Sequence, residues 1–220
     1  MSEPTGSCAT PHVHRCITTC SHLPTKSETF LLGRGVNVKQ RFDDDRLWRA
    51  GLTGEKSGVS DHNRIVERFD SDQGYLWNSY DSGGDDERAN FFNFPLGPVF
   101  PGRKQPGAFL HDGGELIASL PNGLQEYLLA KSNGERINAG PQTIVKDPNE
   151  FSGGFDIVNG ISCMGCHKHG LITFEDAIRP LYSPQSGQAI ADKVLRLYPK
   201  KEDMDKLVAD DTRHFLESLD

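Results

Sequence analysis

The most regular pattern along the chain lies between residues 116 and 137. A run Leu116–Leu120 is followed by Pro121-Asn122-Gly123, a second run Leu124–Lys131 by Asn133-Gly134, and a third short run closes at Ile137. Asn-Gly supplies the positive φ angles that a tight hairpin turn needs, so two such pairs one strand length apart predict a three-stranded antiparallel meander. Upstream, only Arg64–Phe69 alternates in the manner of a strand. The rest of the stretch from Gly51 to Pro106 is dense in Gly, Asn, Asp and aromatics. It reads as ordered loops pinned by the rings of Trp77, Tyr80, Phe91, Phe92 and Phe94, which are costly to leave in water. Such loops suit either the wrapping of a flat apolar cofactor or the ordinary packing of a loop-rich domain.

Helical spacing appears at both ends. Residues 28–50 predict a helix ending near Arg49, weakened by Gly33 and Gly35. After Gly154, Thr173 stands where it can cap a helix to about Arg179, disrupted by Pro180. A second helix is expected over Gln188–Tyr198, stopped by Pro199, and a third over Lys201–Leu219. In the third, Met204, Leu207, Val208, Phe215 and Leu219 share a side, as a core-facing stripe should. Residues 1–28 read as an irregular, flexible leader. It carries Cys8, His12, His14, Cys16, Cys20 and His22, whose spacing matches no zinc pattern.

Composition narrows the classes. The 220 residues suffice for a real core, and the aromatics and apolar runs exclude a disordered chain even though the hydrophobic share is only 35%. The net charge is −7 and no basic cluster marks a face, which argues against a nucleic-acid partner and suits a basic protein partner. No apolar run approaches the length of a membrane span. Five cysteines, three in the leader and two far downstream, make a complete disulfide framework unexpected.

Those two downstream cysteines carry the chemistry. Cys163-Met164-Gly165-Cys166-His167 is a CxxCH sequence, the attachment signature of c-type heme. Two thiols two residues apart reach the two vinyl groups on one porphyrin edge. The next residue then lies under the iron, where an imidazole can donate a lone pair. Three rival readings use the same residues: a thiol redox pair, without βαβ surroundings; a zinc site of Cys163, Cys166, His167 and His169, which would be cramped; and a buried pair with no cofactor. c-type heme is attached after export, which predicts a periplasmic or extracellular place. The first residues lack the layout of an export signal, so the chain is read as a module of a larger protein or one whose start lies upstream, unless the heme reading itself fails.

The stretches RAGLTGEKSGVSDHNRIVERFD, HDGGELIASLPNGLQEYLLAKSNGERI, IVNGISCMGCHKHGLI and LYPKKEDMDKLVADDTRHF cover most of the chain from about residue 48 onward. In them the sequence resembles a group of bacterial proteins with a c-type cytochrome domain, found among planctomycetes and some proteobacteria. The resemblance implies an exported, heme-bearing protein or module, without a known substrate. The Cys-bearing leader departs from it.

Electron carriers usually fill both axial positions of the iron, whereas peroxidases and gas sensors leave one open. With His167 as the proximal ligand, the candidates for the distal position are Met204 and His111. His111 precedes Asp112-Gly113-Gly114, where backbone could approach a porphyrin, and Asp112 or Glu115 could orient an imidazole. His62 and His169 are weaker options. For catalysis, Arg64, Arg68 or His62 could stand near an open iron, but no spacing singles them out, and Ser82-Gly83-Gly84 among acids makes a poor phosphate loop.

The expectation is an α+β protein in three parts: the leader 1–28, a loop-rich part 29–148 holding the β-meander, and a helical cytochrome c-like heme segment 149–220. Its expected function is that of a mono-heme c-type cytochrome with heme c held by Cys163, Cys166 and His167 and a redox partner protein. A peroxidase-like oxidoreductase with an open iron site and a zinc- or disulfide-based interaction module are the alternatives.

Overall fold

The computed structural model describes residues 24–57, 60, 62–82, 90–98, 109–184 and 189–220. Two short helices, α1 (Ser27–Leu32) and α2 (Val38–Asp43), lead into strand β1 (Trp48–Leu52) and a single turn α3 (Gly54–Ser57). Strands β2 (Arg64–Ser71), β3 (Gly74–Asp81), β4 (Gly113–Ser119), β5 (Gln125–Lys131) and β6 (Arg136–Ile137) follow. A small pair, β7 (Ala139–Gly140) and β8 (Ile157–Val158), precedes helices α4 (Ile161–His167), α5 (Ala189–Leu197) and α6 (Lys201–Leu216). The fold is thus mixed α and β, built on one six-stranded antiparallel sheet whose order β1-β2-β3-β4-β5-β6 is also the order of the chain.

The meander expected over 116–137 is the second half of this sheet, with Leu116 opposite Leu128 and Leu129 opposite Ile137. Both turns form where the Asn-Gly pairs stand, but as three-residue loops, Pro121–Gly123 and Ser132–Gly134, in which only the glycine takes a positive φ. Gly123 and Gly134 each adopt φ +82°. Asn122 Oδ1 accepts the Leu124 N–H at 3.2 Å, and Asn133 Oδ1 accepts that of Glu135 at 3.0 Å.

The first half of the sheet departs from the sequence reading, because Trp48–Leu52, expected as a helix end running into a loop, and Gly74–Asp81, expected as a loop, are both strands. From Tyr75 to Asp81 every residue is buried, so polarity does not alternate even though the side chains do. Leu76 and Tyr80 enter one core, Tyr75 and Trp77 the other. Of the rings expected to pin loops, Phe91 is buried, while Phe92 is 37% exposed and Phe94 only partly buried.

The sheet separates two cores. The first holds Phe30, Phe42, Phe69, Leu76, Phe109, Leu116 and Leu128, covered by Val194, Leu197 and Tyr198 of α5 and the turn after it. Within it the fully buried Arg49 donates Nε–H to Glu67 Oε1 at 2.6 Å, and the Tyr80 hydroxyl donates to Glu67 Oε2 at 2.6 Å. A buried ion pair of this kind survives desolvation only with such added hydrogen bonds. The second core joins Ala50, Leu52, Tyr75, Trp77, Ile117, Tyr127 and Leu129 to Cys163 of α4 and to Met204 and Val208 of α6. In α6 the buried side includes Met204, Val208 and Phe215, as expected, but Leu219 is exposed and Asp211 is buried. Asp211 takes both Arg68 guanidinium contacts at 3.1 Å and the Trp77 indole N–H at 2.8 Å, fastening α6 to the sheet.

Two expected helices are absent. Residues 28–50 break into α1 and α2 because Gly35 (φ +73°) turns the chain between them and Asp45 (φ +55°) ends the second; Arg49 belongs to β1. Residues 173–177 are not helical, and only Arg179–Leu181 forms a 3-10 turn. Here the Asp176 carboxylate accepts the backbone N–H groups of Gly51 (2.8 Å), Ile178 (3.1 Å) and Arg179 (2.8 Å), tying the segment to the edge of β1. Helices α5 and α6 lie where the periodicity placed them.

The three-part division is not how the chain packs. Thr25 accepts from Arg136 N–H and Ser27 donates to the Gly134 carbonyl, so the fold already includes residues assigned to the leader. β7 pairs with β8 across the boundary at 148, and the C-terminal helices cover both faces of the sheet. The rest of the leader, with Cys8, His12, His14, Cys16, Cys20 and His22, lies outside the described residues.

Two outcomes are expected. Gly123→Val places a β-branched residue at φ +82° with its Cβ against Ser218, and should lower unfolding free energy by about 1–3 kcal/mol in denaturant titrations. His111 packs edge-on to Tyr80 at 5.0 Å, and burial pushes its imidazole down to about 4 from the ordinary 6.5, against the opposing pull of Asp112. The unfolded chain therefore binds a proton that the folded protein refuses between these values, so this residue costs stability as pH falls from 6.5 toward 4 and no further below. Unfolding titrations of His111→Asn should show a shallower loss over that window than the parent.

Candidate functional site

Helix α4 begins where Gly160 (φ +83°) turns the chain out of β8. Ser162 fixes this start: its hydroxyl accepts the Val158 N–H at 3.0 Å and donates to the Asp156 carbonyl at 3.2 Å. The CxxCH motif occupies α4, so Cys163, Cys166 and His167 stand at positions i, i+3 and i+4 on one side of the helix. Gly165 has a separate reason. A Cβ there would overlap the Phe151 ring, which packs against the helix at this point. Phe151 is held in turn by the Asp147 carboxylate, which accepts its backbone N–H at 3.0 Å.

This side of α4 opens on a cavity of about 850 Å³ over the second face of the sheet. Val66, Trp77, Ile117, Leu129, Leu171 and Phe174 give it apolar walls, and Cys163, Cys166 and His167 line it together. Its size lies within the roughly 300–1,000 Å³ of small-molecule and cofactor pockets, which are also mainly apolar with a few placed polar groups. Its polar groups include Arg64, Asp81 and Glu115 on neighbouring strands. Arg64 pairs with Asp81, Ser79 Oγ is 3.3 Å from Asp81, and the Glu115 backbone N–H donates to Ser79 Oγ at 2.9 Å.

His167 is oriented from behind. Its Nδ1 lies 3.2 Å from the Gly170 carbonyl, and the turn that brings the carbonyl there needs Gly170 at φ +97°, with no room for a Cβ beside Thr212 of α6. Leu171 N–H donates to Thr212 Oγ1 at 3.0 Å and anchors the same turn. When Nδ1–H donates to a carbonyl, the lone pair of the neutral ring sits on Nε2, the arrangement by which proteins prepare a metal-binding imidazole. Nε2 lies 3.7 Å from Glu115 Oε2. Burial pulls the imidazole down, but Glu115 and the Gly170 carbonyl outweigh it and hold its pKa above the usual value.

The two thiols are free and not joined in a disulfide. Burial, and then the nearby Glu115 charge, pushes Cys163 well up. Burial, then Asp147 and Glu115, also raises Cys166. Raised thiols are poor nucleophiles at neutral pH, which speaks against a thiol redox pair, since such pairs work through a lowered pKa. His169, the fourth member of a zinc reading, is exposed, and among the described residues no group of three or more His, Cys, Asp and Glu is arranged to hold a metal ion.

Neither distal candidate lines the cavity. His111 faces Tyr80, a residue of the opposite core, and Met204 packs inside the second core, 5% exposed. His62 is also outside the lining, and Arg68 is engaged by Asp211. Arg64 does reach the cavity. Sequence reasoning took Glu115 as a group that could orient His111, whereas it faces His167. Its period-2 spacing from Ile117 was the signal available, since both must share a sheet face. The donor set suits a heme attached through two thioethers: two free thiols and an imidazole nitrogen on one helix side, facing an apolar chamber. Among the described residues no helix is long and apolar enough to cross a membrane. No family model, no curated protein and no solved structure matches the chain.

Proposed function

We propose that this protein is a mono-heme c-type cytochrome that transfers electrons to or from a redox partner protein. The observation that carries the reading is the shared orientation of Cys163, Cys166 and His167 toward one apolar cavity, with His167 Nδ1 held by the Gly170 carbonyl. Cys163 and Cys166 would hold the group covalently, and His167 Nε2 would be its proximal ligand. When bound, heme supplies a one-electron couple between ferric and ferrous iron. The chain's own part is to bind, orient and shield. Gly170 and Thr212 fix the imidazole plane, Phe151 and Phe174 line the chamber, and Trp77 and Ile117 form its floor. The resemblance to bacterial c-type cytochrome domains supports the same reading, together with a periplasmic or extracellular place and membership of a larger protein.

One observation favours a second reading. Arg64, Asp81 and Glu115 put a cation and two carboxylates in the cavity, and a peroxidase-like oxidoreductase needs such groups beside an open iron.

Protein exported together with a heme-maturation system is expected to keep its colour through acid–acetone extraction and to cycle reversibly between two oxidation states without peroxide turnover. The Cys163→Ala/Cys166→Ala double variant should release all its colour. Colour extracted from the parent would overturn the heme reading, and sustained peroxide turnover would promote the second.

A further inference from the structure

We propose that Arg64 and Lys131 are the cations that hold the two propionates of the heme. The inference rests on the heme reading and names the counter-charges of the same cavity. A heme attached through its vinyl edge carries two carboxylates on the opposite edge. In an apolar chamber such charges are costly unless the chain supplies cations for them.

The sheet supplies them in a single row. Arg64 of β2 stands opposite Asp81 of β3, Asp81 opposite Gly113 of β4, and Gly113 opposite Lys131 of β5. Directly opposed residues point to the same face, and all four line the cavity. The two cations are three strand spacings apart, about 14 Å between backbones. Their long side chains can converge over Gly113, which fills none of the space between them. Glu115, which touches His167 and Cys163, lies two residues along β4 from this row, about 7 Å away.

Both cations keep donors to spare. Asp81 accepts the Arg64 Nε–H, and no hydrogen bond engages either Nη among the described residues. Those two groups form a planar fork of the kind that binds a carboxylate bidentately. Lys131 Nζ is 3.6 Å from Glu135 Oε2, and both side chains are more than half exposed, so the pair holds it weakly. The other cations of the lining stand off the row. Lys56 pairs with Glu175, and Lys168 sits over the Phe151 ring at the end of α4.

Resonance Raman spectra of the purified holoprotein test the assignment, because propionate bending bands move when their hydrogen bonds are lost. Arg64→Leu and Lys131→Met should each move a propionate band to lower frequency, whereas Lys168→Met should leave both in place. Arg64→Leu also strands Asp81 without its partner. Should it fail to fold, Arg64→Leu/Asp81→Leu removes both charges and must show the same shift. Lys131→Met changes an exposed side chain and decides its half of the assignment in every case. Bands unmoved in an Arg64 or Lys131 variant that retains covalent heme, or moved in Lys168→Met, would overturn this assignment and leave the heme reading standing. Absence of covalent heme from the parent removes the heme reading and this one with it.

Discussion

The sheet must bury side chains on both faces, and the two faces are closed by different means. On the first, α1, α2, α5 and the rings of Phe91 and Phe109 complete a dense core, deep enough to take in the Arg49–Glu67 pair with Tyr80. On the second, α6 closes only part of the surface. Its own fastening is the Asp211 carboxylate, which satisfies Arg68 and Trp77 at the sheet and leaves no buried charge unmatched there. Beyond α6 the apolar floor of β3, β4 and β5 continues under α4, and the space between them is the cavity.

That arrangement explains why so short a helix can present a site. Seven residues have little stability of their own, so α4 depends on its surroundings. Ser162 ties its start to the β8 loop, Phe151 fills the notch at Gly165, and the Gly170 turn clamps its end against Thr212. The last clamp also sets the ring orientation of His167. The site is thus positioned by the sheet face and α6 as much as by the motif. A helical segment cut away at residue 149 would leave the cavity without its floor.

How much of this was legible in the sequence depended on whether one residue type had only one physical use. Asn122-Gly123 and Asn133-Gly134 announced their turns because positive φ leaves few alternatives. The CxxCH spacing announced three side chains on one side of a helix, and the apolar stripe of α6 announced that helix. Strand β3 stayed hidden because a strand buried on both sides shows no polar alternation, and its Tyr, Trp and Asn resemble loop anchors. The segment after Thr173 had a plausible cap in sequence, but the carboxylate of Asp176 is spent on Gly51, a partner 125 positions away that no local pattern reveals. The same holds for Glu115, whose meaning comes from a helix that the chain reaches about fifty residues later. His111 and Met204 were attractive by residue type alone; packing gives one to Tyr80 and the other to the core.

The central claim is that Cys163 and Cys166 hold one heme. The most direct measurement is mass spectrometry of the tryptic peptide spanning 147–168, taken from protein exported with a heme-maturation system and treated with a thiol-alkylating reagent. The account predicts a peptide heavier by the mass of one heme, with neither cysteine alkylated. A peptide without the heme mass and carrying two alkylated cysteines would contradict it.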